Sequence, residues 1–219
     1  FKEFYFEQAL FGTHNLAILN HYSINEEYEP GNDELYLNMG GKSFKNVSNF
    51  LKCNPGYGFG AVFTDVDNDN DLDIYLVNDF GENNEPNQIL INQYPKLDFE
   101  NKSKELKLNV GLKSMGVGVG DYNNDSYLDY HVTNIFAGPF MVNRGKDKSF
   151  VNLAPNIGTG INKIEGYKDS KQVIIGWGSL FVDYDHDKDL DLFNSNGPIN
   201  PMTNRIPNIL NIVSIKTIN

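Results

Sequence analysis

Three acidic segments recur in one frame along the chain, and no other feature restricts its folding as much. They read GAVFTDVDNDNDLDIYLVND from Gly60, GVGVGDYNNDSYLDYHVTN from Gly116 and GSLFVDYDHDKDLDLFNSN from Gly178, and they align without gaps. Their leading aspartates, Asp65, Asp121 and Asp183, stand 56 and 62 residues apart. Self-similarity at such a period means units that bury their apolar faces by stacking on one another. A further step of 56 residues back from Asp65 reaches Ala9, where ALFGTHNLAILNHY keeps the frame, with Asn15-Leu16-Ala17-Ile18 in place of Asp71-Leu72-Asp73-Ile74. This first unit has lost its carboxylates: Ala9, Phe11, Thr13 and Ala17 stand at the acidic positions.

A second element follows each of these segments: ELYLNMGGKSFKNV from Glu34, QILINQYPKLDFENK from Gln88, FMVNRGKDKSFVNL from Phe140 and, more faintly, NILNIVSIKTI from Asn208. Each has an apolar run ending in Asn (Asn38, Asn92, Asn143, Asn211), and in the first three a turn leads to Phe44, Phe99 or Phe150. GFGAVFT and DIYLVN are short, rich in β-branched and aromatic residues and bounded by Asp and Asn, which is a strand signature. QILIN and DFEN supply two more strands around a Tyr-Pro turn. Four short strands per unit make a propeller blade. The expected fold is all-β, with about four blades of four-stranded antiparallel sheet as units of roughly 1–55, 56–110, 111–172 and 173–219. Asn156 to Gln172, rich in Gly, Asn and Lys, reads as a longer inserted loop.

The acidic loops carry the chemistry. Asp65, Asp67, Asp69, Asp71 and Asp73 alternate over nine residues ahead of an apolar run. Carboxylates so close repel by about 1 kcal/mol per pair even at the dielectric of water. A hard divalent cation offsets that, because calcium takes 6 to 8 oxygens and a tight loop can present side chains 1, 3, 5 and 9 together with the carbonyl of position 7. The first loop fits with Asp65, Asp67, Asp69 and Asp73 as side-chain ligands and Asp71 giving its carbonyl. Asp121, Asn123, Asp125 and Asp129, with Tyr127 at position 7, make the second set. The third is Asp183, Asp185, Asp187 and Asp191, with Asp189 at position 7. About three calcium ions are expected, an all-oxygen set being unsuited to zinc or copper. An EF-hand would need Glu at position 12 between helices; Leu76, Val132 and Asn194 stand there, with strands on either side.

Composition narrows the partners. A net charge of −11 over 219 residues argues against nucleic acid, whose phosphates call for clustered Lys and Arg. One cysteine, Cys53, allows no intrachain disulfide and no cysteine-based zinc site, and reads as a small buried hydrophobe. No stretch approaches the length of a membrane helix. The chain opens at Phe1 in mid-pattern, which reads as a mature or cropped piece of something longer.

GFGAVFTDVDNDNDLDIYLVND, MGVGVGDYNNDSYLDYHVTN and GWGSLFVDYDHDKDLDLFNSNG together resemble FG-GAP/VCBS repeats, particularly those of ASPIC/UnbV-type proteins, where such units alternate with elements like ELYLNMGGKSF. The resemblance runs from about Leu10 to Asn211. It implies a calcium-binding β-propeller related to the integrin α-subunit head, commonly seven-bladed when complete, secreted, cell-surface or periplasmic, and used for adhesion or protein contacts. One departure is that Asn70, Ser126 and Lys188 replace the family's Gly at loop position 6. A left-handed backbone there is easy for Asn and costly for Ser and Lys.

No nucleophile elbow, phosphate-cradling Gly-Lys loop or His-Glu-x-x-His is present. The function expected is therefore that of a non-enzymatic interaction module with a protein or glycan ligand. A lectin-like or carbohydrate-active propeller using Tyr57, Tyr94, Tyr122, Tyr127 and Tyr184 is one alternative, and a structural subunit of a large exported assembly is another. Of the four histidines, His186 lies at loop position 4 and should point into solvent. Trp177, between Gly176 and Gly178, is expected to pack between blades.

Overall fold

The computed structural model describes residues 29–135, 137–145, 149–159, 173–199 and 212–216. Its strands form four antiparallel sheets that follow one another along the chain. Sheet A pairs β1 (Tyr36–Asn38) with β2 (Phe44–Asn46). Sheet B is a meander of β3 (Tyr57–Thr64), β4 (Asp73–Asp79), β5 (Gln88–Asn92) and β6 (Phe99–Asn101) in that spatial order. Sheet C repeats the order with β7 (Val117–Gly120), β8 (Asp129–Val132), β9 (Phe140–Asn143) and β10 (Phe150–Asn152). Sheet D holds β11 (Val173–Val182), β12 (Asp191–Ile199) and β13 (Ile212–Lys216). Helix contributes single turns, at Ser48–Phe50 and at α1 (Ala154–Ile157). The fold is all-β, made of β-propeller blades, and among the described residues the row of blades is open.

The apolar runs of the middle strands follow from burial on both faces, as in any sheet covered on two sides. In β4 the side chains alternate between two seams. Ile74 and Leu76, with Leu90 and Phe99, meet Leu35, Leu51 and Cys53 on the side of sheet A. Tyr75 and Val77, with Ile89 and Ile91, meet Tyr130, Val132, Met141 and Phe150 of sheet C. Sheet C repeats this one blade on: Phe140 and Val142 turn to Phe181 and Leu192 of sheet D. Fully burying such a side chain contributes about 1.5–3 kcal/mol, so a blade gains much of its stability from its neighbours. Phe140 is wholly buried and meets Tyr122 and Phe181 edge-on, at centroid distances of 4.9 and 5.6 Å.

The first strands of sheets C and D back closely onto each other. A Cβ added at Gly116 would stand 2.4 Å from the Trp177 carbonyl oxygen, and one at Gly120 2.7 Å from Phe181 Cβ. The glycine alternation of GVGVG thus serves backbone approach. Trp177 lies in that seam through its backbone, with its indole against Gly197, where a Cβ would sit 2.9 Å from Nε1; it stays 40% exposed. The leucine at loop position 8 points back to the preceding blade: Leu128 packs into the B–C seam and Leu190 into the C–D seam. Leu72, their equivalent in sheet B, is 55% exposed.

The last repeat differs in register from the sequence alignment. There Asn211 was matched to Asn38, Asn92 and Asn143, which close their strands. β13 instead begins at Ile212, beyond Asn211, and pairs Lys216 with Leu192 where β5 pairs Leu90 with Ile74. Val213-Ser214-Ile215-Lys216 alternates apolar and polar residues, as a strand does. The first unit's frame at Ala9–Ile18 and most of the loop from Asn156 to Gln172 lie outside the described residues; α1 occupies the start of that loop, and Gly158 (φ 73°) ends the turn.

Candidate metal centres

Each acidic loop joins the first strand of its blade to the second: Asp65–Asp73 in sheet B, Asp121–Asp129 in sheet C and Asp183–Asp191 in sheet D. The three share one internal hydrogen-bond pattern. Position 1 accepts from the amides of positions 5 and 6: Asp65 from Asp69 (3.1 Å) and Asn70 (3.0 Å), Asp121 from Asp125 (3.0 Å) and Ser126 (2.7 Å), Asp183 from Asp187 and Lys188 (both 3.1 Å). Position 5 accepts from the amide of position 7, at 3.0, 2.9 and 2.9 Å in Asp69, Asp125 and Asp187. Such carboxylate-to-amide bonds fold the chain back on itself, as Asx turns do.

Position 9 is the anchor. Asp73, Asp129 and Asp191 are 0%, 0% and 2% exposed, and each accepts from the amide of position 2: Val66 at 2.9 Å, Tyr122 at 3.2 Å and Tyr184 at 3.4 Å. In sheets B and C the other oxygen accepts from the amide of the Asn that ends the third strand, Asn92 or Asn143, at 2.8 Å. That recurring Asn is thus part of the loop's support.

Two carboxylate triads converge among the described residues. Asp65, Asp67 and Asp73, and likewise Asp183, Asp185 and Asp191, each bring one oxygen to within 4.8 Å of the others. In the second loop position 3 is Asn123, whose Nδ2 donates to Asp125 Oδ2 (2.9 Å), so Asp121 and Asp129 gain no third carboxylate there. At position 7, Asp71 lies beside the first triad, Tyr127 lays its ring over Gly145, and Asp189 accepts through Oδ1 from Asn124 Nδ2 at 3.2 Å.

The loops concentrate carboxylate charge that a cation could offset. Burial pushes Asp73 and Asp129 up to about 7, against the backbone amides that favour their charged forms, and neighbouring loop carboxylates add to the rise. Asp71 is raised by burial and then by Asp69, Asp67 and Asp65, and Asp185 by burial and then by Asp187. One Asp71 oxygen is buried without a hydrogen-bond partner. Hard, all-oxygen donors with surplus negative charge suit calcium. Asp65, Asp67, Asp69 and Asp73 would hold it in the first loop and Asp183, Asp185, Asp187 and Asp191 in the third; the second offers Asp121, Asn123, Asp125 and Asp129.

Left-handed backbone occurs at position 6 in all three loops, at Asn70 (φ 70°), Ser126 (φ 70°) and Lys188 (φ 80°), so the conformation that glycine would favour is kept without it. Position 4 is left-handed too, at Asn68 (φ 58°), Asn124 (φ 56°) and His186 (φ 63°), which sequence reasoning missed. Asn68 Nδ2 donates to Ser126 O (2.8 Å) in the next loop, as Asn124 does to Asp189, so position 4 links loop to loop. The signal was present as a repeated Asn at one position. His186 is exposed.

Of the tyrosines considered for glycan binding, Tyr94 and Tyr184 are exposed, Tyr57 packs edge-on against Phe80 and Tyr122 against Phe140. Among the described residues no helix is long and apolar enough to cross a membrane.

Residues 22–76, which include sheet A and the first acidic loop, match the family model described as an FG-GAP-like repeat. No curated protein matches the chain.

Proposed function

Because residues 22–76 match an FG-GAP-like repeat and the sheets are β-propeller-like blades, we propose that the chain is a calcium-binding module for contacts with other proteins, acting outside the cytoplasm. One observation carries the reading: three loops fold by the same hydrogen bonds, and two of them gather three aspartates around a common point. With an ion bound, each loop becomes a rigid staple at one end of its blade. Asn68, Asn124 and Asn143, which bond to backbone or side chains of an adjoining blade, carry that rigidity across the seams. The ion thereby fixes the surface the blades present to a partner. The first and third loops bind more tightly than the second, where an amide replaces a carboxylate.

Blades beyond these, in a larger ring of the usual seven, belong to the same reading and rest on the resemblance. The narrower ASPIC/UnbV-type assignment rests on the interleaved Asn-ended strands, and adhesion on the resemblance. Thermal melts of the purified chain test the metal reading. Calcium at about 10⁻⁴ to 10⁻³ M raises Tm, chelator reverses the rise and magnesium produces much less. A hundredfold excess over Kd stabilises by about 2.7 kcal/mol per site. A Tm indifferent to both calcium and chelator would sink the proposal.

A further inference from the structure

The seam between sheets C and D differs in chemistry from the one before it. In the B–C seam Tyr75 and Val77 of β4 face Tyr130 and Val132 of β8, all with 0% exposure. One blade on, the repeat places His131 and Thr133 where Tyr75 and Val77 stood, and Asn194 and Asn196 where Val132 and Asn134 stood. The result is a polar cavity of about 10 Å³ lined by His131, Thr133, Asn134, Gly138, Thr159, Gly176, Asn194 and Asn196.

Four buried atoms on its wall have no hydrogen-bond partner among the described residues: His131 Nε2, Thr159 Oγ1, Asn194 Oδ1 and Asn196 Oδ1. Their residues are 3%, 6%, 6% and 6% exposed, so bulk water does not serve them, and buried polar groups in native proteins are paired. Glycine keeps the space open. A Cβ at Gly138 would stand 3.3 Å from His131 Nε2, and one at Gly176 3.4 Å from Asn196 Oδ1.

We propose that this seam holds a single structural water molecule, bound by His131, Thr159, Asn194 and Asn196, as a fixed part of the fold. The volume is about that of one water, which needs two to four polar partners. The donor inventory balances. The two amide oxygens accept the water's two hydrogens, and its lone pairs accept from the Thr159 hydroxyl and from His131 Nε2–H. That tautomer requires the Ser179 hydroxyl to donate to His131 Nδ1, and the two atoms are 3.0 Å apart. Burial holds His131 down to about 4, hence neutral. Among the described residues no carboxylate lines the cavity, so they give a divalent cation no counter-charge there. The water ties β8, β12 and the connection after α1 together at the end of the blades away from the acidic loops.

A high-resolution crystal structure of the whole chain, with a second crystal soaked in rubidium, tests this, together with the variants Thr159→Val, Asn194→Ala and their double. One peak within about 2.7–3.2 Å of the four atoms, with no rubidium signal, is expected. Each single variant lowers Tm by about 2–4 °C, and the double lowers it by less than the sum, because the first change already releases the shared water. A site without a peak, a rubidium signal at it, or fully additive variants would overturn the proposal. Should a variant fail to fold, the two crystals of the native chain still decide.

Discussion

Replacing Asp73 by asparagine is expected to move stability in opposite directions with and without calcium. Asp73 is fully buried, and in the calcium-free chain burial pushes its pKa up to about 7, with Asp67 and Asp71 adding repulsion. Unfolded, the same group titrates near 3.9. Between those values the folded chain holds a proton that the unfolded chain has released. The stabilising contribution of the neutral form is therefore complete below about pH 4 and is lost as pH rises through about 7. A difference of about three pKa units at about 1.36 kcal/mol each sets an upper value near 4 kcal/mol at pH 8. Asp73→Asn, neutral at every pH, escapes that loss, but its Nδ2 cannot accept, so one of the two amide bonds from Val66 and Asn92 is given up at about 1–3 kcal/mol. In chelator at pH 8 its Tm should still exceed that of the native chain, by roughly 2–12 °C at about 2–4 °C per kcal/mol for this size. At pH 5 the two should nearly coincide, since the charge penalty has fallen to about 1.5 kcal/mol, close to the cost of the lost amide bond. In saturating calcium the order inverts over most of that range, because the variant loses one site's stabilisation of about 2.7 kcal/mol at a hundredfold excess over Kd. Calorimetric melts at both pH values settle it. A variant less stable than the native chain in chelator at pH 8 would refute the charge argument, and one keeping the full calcium shift would refute the ligand assignment.

Three further substitutions probe separate parts of the account. Lys188→Gly removes a side chain from a backbone at φ 80° and should stabilise by about 0.5–1 kcal/mol in urea unfolding; destabilisation would mean that position 6 carries no strain. Asn123→Asp should complete the second triad, adding a calorimetric calcium site while lowering the chelator Tm through repulsion with Asp121 and Asp125, and no change in either quantity contradicts the assignment of position 3. Phe140→Ala empties the centre of the C–D seam and should cost about 3–5 kcal/mol; a cost below about 1 kcal/mol would show that the blades do not depend on that seam.

The blade was legible because its signals agree at several levels. The IYLV and ILI runs are apolar throughout since β4 and β5 are buried on both faces, and the Asp frame marks the turn between β3 and β4. Less was legible where meaning depends on the neighbouring blade. Asn68 and Asn124 read as turn residues, yet their side chains reach the next loop. His131 looked unplaced because its role rests on Ser179, 48 residues on. Phe140, of unknown exposure in the sequence, is a seam residue because β9 faces sheet D. The register of β13 was misjudged because NILN carries the Asn-ended signature in the sequence, while the residue that pairs with Leu192 is Lys216.

The central claim is that the acidic loops are cation sites, and anomalous diffraction from a crystal grown in calcium tests it most directly. The account predicts strong peaks about 2.3–2.6 Å from the carboxylate oxygens of Asp65, Asp67 and Asp73 and of Asp183, Asp185 and Asp191, with a weaker peak beside Asp121 and Asp129. A map with no anomalous signal in any of the three loops, at calcium well above millimolar, would contradict it.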